Sequence, residues 1–385
     1  MEAMHLIKYH SNLNIPLSFG EAYELGLYAI KGCAGDKDAQ GESFAVLSAL
    51  HNRATYAWRR NGTSYHLGHA LPLNAAEQIA GICAAIFEKD IAESESGFLH
   101  PKVPYVMDNC GMGGDIVTTA NVSTLASFIA AAAGIPMCKH GSPSNSDTGK
   151  CGSSNFIDAL GINTRANRAD VEKCVEEERF GYTEALDTRY KHIHLQTHKF
   201  IKLPHMNDII GVITNPLDPR LMTRRVVGLN HLIAPMIAAE AYQILNLRGT
   251  TDLRHGLFVQ GMIDSEHKDG MDEVSICEGG TNVAELKNGN IREYRLHASD
   301  FGINPVSPAS ISPPGGMKKS DFSLGILRGE ITGAPLQMVL ANAALLFFLA
   351  ERSNDLKECY AMAEAVHHEG GAYKKMLAVR ERLPK

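Results

Sequence analysis

Residues Asp108 to Thr124, DNCGMGGDIVTTANVST, constrain this chain more than any other stretch. Three glycines, two aspartates, two asparagines and a Ser-Thr pair stand between a predicted strand and a predicted helix. Val103, Tyr105, Val106 and Met107 supply the β-branched, aromatic and apolar character of the strand. TLASFIAAAAG, from Thr124 onward, has the composition of an Ala-rich buried helix. Glycines at such a turn let backbone N–H groups approach a ligand, and the helix N-terminus adds positive potential. Together they form an anion site, most often for phosphate. Taken alone, a glycine turn is more often structural than functional, so its neighbours decide the reading.

Two further segments change the weighting. Lys139-His140-Gly141 follows a short apolar run, Ile135 to Cys138, predicted as a strand, and precedes the small polar stretch SPSNSDTGKCGSSN that ends at Asn155. A lysine at a strand end beside hydroxyl-rich loops offers a point charge and donors to phosphate oxygens. Gly270-Met271-Asp272-Glu273-Val274 places two adjacent carboxylates before a β-like run, Val274 to Ile276. Such pairs are usually solvated, but beside two phosphate-type loops they suit Mg²⁺, which takes hard oxygen ligands and shares them with substrate phosphates.

These pieces, in this order, resemble the anthranilate phosphoribosyltransferase family, part of a wider group that includes the pyrimidine nucleoside phosphorylases. The family's GTGGD-xxx-T-x-N-x-S-T pattern is similar to Gly111-Met112-Gly113-Gly114-Asp115, Thr119, Asn121, Ser123 and Thr124; its KHG segment is similar to Lys139-His140-Gly141, and its acidic metal pair to Asp272-Glu273. Asn207 to Pro216 resembles FN-x-x-GPL-x-NP, and Asn342 stands at the family's LNAA position. The resemblance implies an α/β fold with a small, mainly helical lobe and a larger α/β lobe carrying a mostly parallel sheet. It implies phosphoribosyl pyrophosphate (PRPP) as donor, Mg²⁺ as cofactor, a small aromatic acceptor and a homodimer.

By the same resemblance, Gly111, Gly113, Gly114, Asp115, Thr119, Asn121, Ser123, Thr124 and Lys139 would hold the donor. Ser123, Asp272 and Glu273 would ligate metal, and His140, Gly141, Ser142, His194 and His198 would face the acceptor. No dedicated nucleophilic or acid-base side chain is required, because an aromatic amine is already a competent nucleophile and the protein supplies proximity and orientation.

The acceptor side departs from the family. Met112 replaces a threonine, Ser142-Pro143 stands where the family has Asn-Arg, and the loop before Gly152 is about two residues longer. The place of the acceptor-binding arginine falls near Thr197-His198. The stretch Arg189 to Lys202, RYKHIHLQTHKFIK, is basic and histidine-rich; His192 and His194 share a face if it is a strand, His194 and His198 if it is a helix. Two other readings stay open: a non-catalytic, nucleic-acid-binding paralogue and a nucleoside phosphorylase.

Composition bears on those alternatives. A formal net charge of -6 over 385 residues provides no global field toward nucleic acid. Eight scattered cysteines without a C-x-x-C pair read as free thiols of a reducing compartment. MEAMHLIKYHSN lacks the apolar core of a signal peptide, and the longest apolar runs fall short of a membrane span, so a cytoplasmic protein is expected. Helices are predicted at Gly20–Lys31, Ser43–Arg60, Asn74–Lys89 and Asp170–Ala185. The expected lobes are 1–97, joined by helices from about 165–200, and 98–385. Gly302 to Asp321, rich in Pro, Gly and Ser, is read as a surface loop or flap.

Overall fold

The computed structural model describes residues 17–61, 75–144, 151–200, 205–265 and 270–385. Seven strands form one sheet: β1 Met107–Gly111, β2 Met137–Gly141, β3 Phe180–Glu184, β4 Arg224–Gly228, β5 His255–Gly261, β6 Thr281–Lys287 and β7 Asn290–Leu296. Their spatial order is β3-β2-β1-β4-β5-β6-β7. The first five are parallel, and the β6–β7 hairpin closes the sheet antiparallel. From β1 the chain winds outward to β2 and β3, then crosses back to β4. The two directions part at the carboxyl ends of β1 and β4, where open α/β sheets bind ligands.

Helices cover both faces of the sheet. On one lie α1 Phe19–Cys33, α2 Lys37–Asn61, and α3 Ala75–Ala85, which runs on through a π-helical turn, Ile86–Ile91. They share an apolar cluster with residues of α7 His192–Phe200, α8 Asn207–Ile213 and α9 Pro235–Leu247. That cluster includes Val227, Phe258 and Ala284 from the sheet itself. On the other face, α4 Val122–Ala132, α6 Arg168–Glu178 and α11 Ala334–Leu349 pack with α12 Leu356–His368 and α13 Gly371–Arg382. Ser323 of α10 Lys319–Leu327 bonds to Asn121 at the start of α4, and Cys151, just before the short α5 Ser153–Ala159, accepts from the same Asn121. Among the described residues no helix is long and apolar enough to cross a membrane.

A buried ion pair fastens the centre. Asp108 of β1 lies opposite Arg225 of β4, and Arg225 Nη2 donates to Asp108 Oδ2 at 2.7 Å with both side chains fully buried. The other carboxylate oxygen accepts the His140 N–H of β2 at 3.0 Å. Arg225 also donates to the Val212 and Ile213 carbonyls and to the Tyr242 hydroxyl, tying the end of α8 and α9 to the sheet. The buried charges of Asp108 and Arg225 are tolerated in these strands because they pair with each other and with further partners.

Four local expectations are corrected. The strand predicted from Val103 begins at Met107, since Pro101 and Pro104 cannot donate to a ladder. The charged helix predicted through Ala185 stops at Glu178. Arg179 takes a left-handed φ of 59°, and Phe180–Glu184 becomes β3, with Gly181 against Val171 and Val175 of α6. The Ala-rich helix starts at Val122, two residues early. Val274–Ile276 is no strand; it belongs to an irregular segment laid across the sheet's end. The β6–β7 hairpin was not anticipated, although Asn288-Gly289, with φ of 49° and 81°, is the sequence signal for its tight turn.

Candidate active site

Strands β1, β2, β4 and β5 all end in glycine: Gly111, Gly141, Gly228 and Gly261. The irregular segment around Asp272 and Glu273 crosses three of those ends. A Cβ on Gly228 would stand 1.6 Å from the Asp272 carbonyl oxygen, and one on Gly111 would stand 2.1 Å from Asp272 Oδ2. Only a strand end without a side chain leaves room for this crossing. Asn342 of α11 holds the segment in register: its Oδ1 accepts the Val274 N–H at 2.9 Å and its Nδ2 donates to the Val274 carbonyl at 3.2 Å.

The glycine loop folds over the same place. Gly113 and Gly114 adopt φ of 74° and 79°, which side chains rarely tolerate. In this conformation the Gly113 N–H donates to Asp272 Oδ2 at 2.5 Å, and its carbonyl accepts Asn230 Nδ2 at 2.6 Å. Asp115 Oδ1 accepts the Asp272 N–H at 2.8 Å. Asp115, Asp272 and Glu273 each bring a carboxylate oxygen within 4.8 Å of the others. Burial, then the neighbouring carboxylates, push Asp115 well above the usual carboxylate range; burial and Asp272 do the same to Glu273. Three hard oxygen donors short of positive charge fit a Mg²⁺ ion.

These groups line one cavity of about 460 Å³. Of the residues expected to hold the donor, Gly111, Gly113, Gly114, Asp115, Asn121, Ser123 and Lys139 line it, as do Asp272 and Glu273. Thr119 and Thr124 are buried outside the lining. The Thr119 hydroxyl reaches Glu273 Oε2 at 3.4 Å, while the Thr124 hydroxyl sits within α4. Asn121 precedes α4 and donates from Nδ2 to the Cys151 carbonyl at 3.1 Å. Lys139 is buried, and its ammonium donates to the Asn109 carbonyl at 2.7 Å.

On the acceptor side, His140, Gly141, Ser142 and His194 line the cavity. The His198 side chain and residues 145–150 of the long polar loop lie outside the described residues. His140 Nε2 is 2.8 Å from Lys191 Nζ, and both side chains are buried. Burial, with Lys191 and Arg225 nearby, drives the His140 pKa well below its ordinary value, so the imidazole is neutral. Of the basic 189–202 stretch, the described residues are helical over His192–Phe200, and several of its polar groups are tied into the fold. Arg189 pairs with Asp187, Lys191 is buried, and His192 pairs with Asp90, which also accepts the His192 and Ile193 N–H groups at the start of α7. The lining also contains Asn207 and Asp208, from the segment that resembles FN-x-x-GPL-x-NP, and Asn230, His231 and Lys319, which sequence reasoning did not single out. Among the described residues no arginine lines the cavity.

Sheet, switch-point cleft and carboxylate cluster together define a glycosyltransferase-type α/β domain, and the family model "Glycosyl transferase family, a/b domain" matches residues 103–373. Anthranilate phosphoribosyltransferases from Bordetella avium and Pseudoalteromonas translucida are each 31% identical to this chain. The first match covers 72% of this chain and 75% of the relative, the second 80% and 79%. The chain belongs to the anthranilate phosphoribosyltransferase family and is a pentosyltransferase. In fold it is similar to the anthranilate phosphoribosyltransferase of Thermus thermophilus, with a TM-score of 0.73, 23% identity and coverage of 100% and 99% of the two chains. It is equally similar to the Saccharomyces cerevisiae enzyme solved with PRPP and Mg, with a TM-score of 0.73, 21% identity and coverage of 99% and 98%.

Proposed function

We propose that this chain transfers the phosphoribosyl group of PRPP to anthranilate or a closely related aromatic amine, with Mg²⁺ as cofactor. The observation that carries the reading is the Asp115–Asp272–Glu273 cluster held beneath the glycine loop in one cavity. The bond from the acceptor nitrogen to the anomeric carbon forms as the bond to pyrophosphate breaks. The electron pair leaves with pyrophosphate, and the nitrogen then sheds a proton. Asp115, Asp272 and Glu273, together with Ser123, would hold Mg²⁺, which when bound would supply charge stabilisation for the departing pyrophosphate.

The protein's own groups orient the reactants. Amide N–H groups of the glycine loop, with Asn121, Ser123 and Lys139, face the donor phosphates. His140, Ser142 and His194 border the acceptor, and the neutral His140 ring can approach a neutral amine without repelling it. Cleft closure between a helical lobe, residues 1–97 joined by α7 from the 165–200 region, and the larger α/β lobe would exclude water from the oxocarbenium-like transition state. A homodimer and a cytoplasmic location complete the proposal.

Calorimetric titration with PRPP, with and without Mg²⁺, tests it on the wild type and on Asp272→Ala/Glu273→Ala. Mg²⁺-dependent binding lost in the double variant, with consumption of anthranilate by the wild type, is the expected result. Absence of PRPP binding by the wild type would sink the reading.

A further inference from the structure

We infer that Lys319 is a pyrophosphate-binding residue of the donor site, carried to the cavity by the Pro- and Gly-rich segment that ends at Asp321. The inference rests on the donor reading above and extends it to a side chain outside the glycine loop, the Lys-His-Gly segment and the acidic pair.

Among the described residues two lysines line the cavity, Lys139 and Lys319. Lys139 is buried and spends its ammonium on the Asn109 and His140 carbonyls, at 2.7 and 3.4 Å. Lys319 is half-buried, and among the described residues its ammonium makes no hydrogen bond or ion pair. It lines the same cavity as the carboxylates Asp115, Asp272 and Glu273. A diphosphate bridged by a metal to those carboxylates must sit beside them, and that is the volume Lys319 borders.

Its backbone is fixed to the donor loop. Ser323 Oγ lies 2.8 Å from the Lys319 carbonyl and 3.0 Å from Asn121 Oδ1, its one proton directed between them, and it accepts the Asn121 N–H at 2.8 Å. The first turn of α10 is thereby stapled to the first turn of α4, with Lys319 as the first residue of its helix. That helix begins without a side-chain cap, so its leading N–H groups add to the positive potential around the ammonium. A tethered main chain with an uncommitted ammonium at the cavity wall is suited to follow charge as it develops on a leaving group.

The test compares the full-length wild type with Lys319→Met and Lys319→Arg, using Lys318→Met, the exposed neighbour, as control. PRPP and inorganic pyrophosphate, each with Mg²⁺, are titrated calorimetrically, and steady-state constants are measured for both substrates. Lys319→Met should weaken PRPP and pyrophosphate binding by about ten- to a hundredfold, the range of a charge-assisted hydrogen bond. The acceptor KM should be unchanged, Lys319→Arg should recover most of the loss, and Lys318→Met should behave as wild type. Unaltered pyrophosphate binding by Lys319→Met in a protein that binds PRPP would overturn this inference alone. An equal loss in Lys318→Met would also overturn it, reducing the effect to general surface charge. A wild type that fails to bind PRPP would overturn both this inference and the donor reading.

Discussion

Gly228→Ala should be the most damaging single-methyl change in the site. The added Cβ would lie 1.6 Å from the Asp272 carbonyl oxygen, 2.6 Å from its carbon and 3.2 Å from its Cα. Restoring ordinary contact at 3.4 Å requires a retreat of about 1.8 Å (3.4 minus 1.6) by backbone, not by a flexible side-chain tip. That backbone is held on several sides. The Asp272 N–H is bonded to Asp115, its carboxylate to the Gly113 N–H, Met271 pairs with Gly261, and Asn342 brackets Val274. Overpacking of this kind costs about 1–3 kcal/mol of stability. Misplacing reacting groups by about 1 Å loses about a hundredfold in rate. The variant is therefore expected to melt a few degrees lower while losing at least about a hundredfold in kcat/KM and in Mg²⁺-dependent PRPP affinity. Gly41→Ala is the control: it lies within α2 with nothing inside 4 Å of its added Cβ, and it should stabilise by about 0.5–1 kcal/mol without touching activity. Calorimetric titration with PRPP and thermal melts of both variants read the two effects separately. A folded Gly228→Ala protein with wild-type PRPP affinity would refute the claim that these glycines exist to admit the acidic segment.

Further outcomes follow from the buried groups. Asp108→Ala leaves the Arg225 guanidinium unpaired inside the sheet, which should lower stability by about 3–5 kcal/mol in urea denaturation, with unchanged stability as the contrary result. Lys191 is fully buried, and that burial, with Arg225 adding to it, lowers its pKa to about 7 from an ordinary 10.5. Below about pH 7 both folded and unfolded chains carry its proton; between about 7 and 10.5 only the unfolded chain does, so stability should rise with pH across that window. Lys191→Met should lack that rise when the two are compared by urea denaturation from pH 6 to 10. His194→Ala should raise the acceptor KM about tenfold and leave the PRPP KM alone, because His194 borders the acceptor side of the cavity; a shift in the PRPP KM instead would place it wrongly.

The features legible in the sequence are those whose chemistry is local. A glycine-rich turn between strand and helix, a lysine at a strand end and an adjacent acidic pair all show themselves within windows of about a dozen residues. Errors came where local pattern and tertiary context disagree. Phe180–Glu184 continues a charged helical pattern, yet a left-handed Arg179 and close packing of Gly181 on α6 turn it into a strand buried on every side. Val274–Ile276 has strand composition, but Val274 bonds to the Asn342 side chain, Ser275 to the Thr281 hydroxyl and the Ile276 carbonyl to the Val306 N–H, so no regular ladder forms. Thr119 matches the motif as well as Asn121 does, but its hydroxyl faces Glu273 inside the wall, outside the cavity lining.

By itself the sequence determined which segments are built to meet phosphate and metal, because residue type and short spacing set hydrogen-bonding capacity and charge. Which of those segments meet was decided only in three dimensions. Asp115 and Asp272 are 157 positions apart, and Asn121 and Ser323 are 202 apart. Parallel strands carry their carboxyl ends to one edge whatever the length of chain between them. That edge gathers the glycine loop, the acidic crossing segment and Lys319 into one cavity, since sheet order and register are properties of the whole packed chain and of no single window of it.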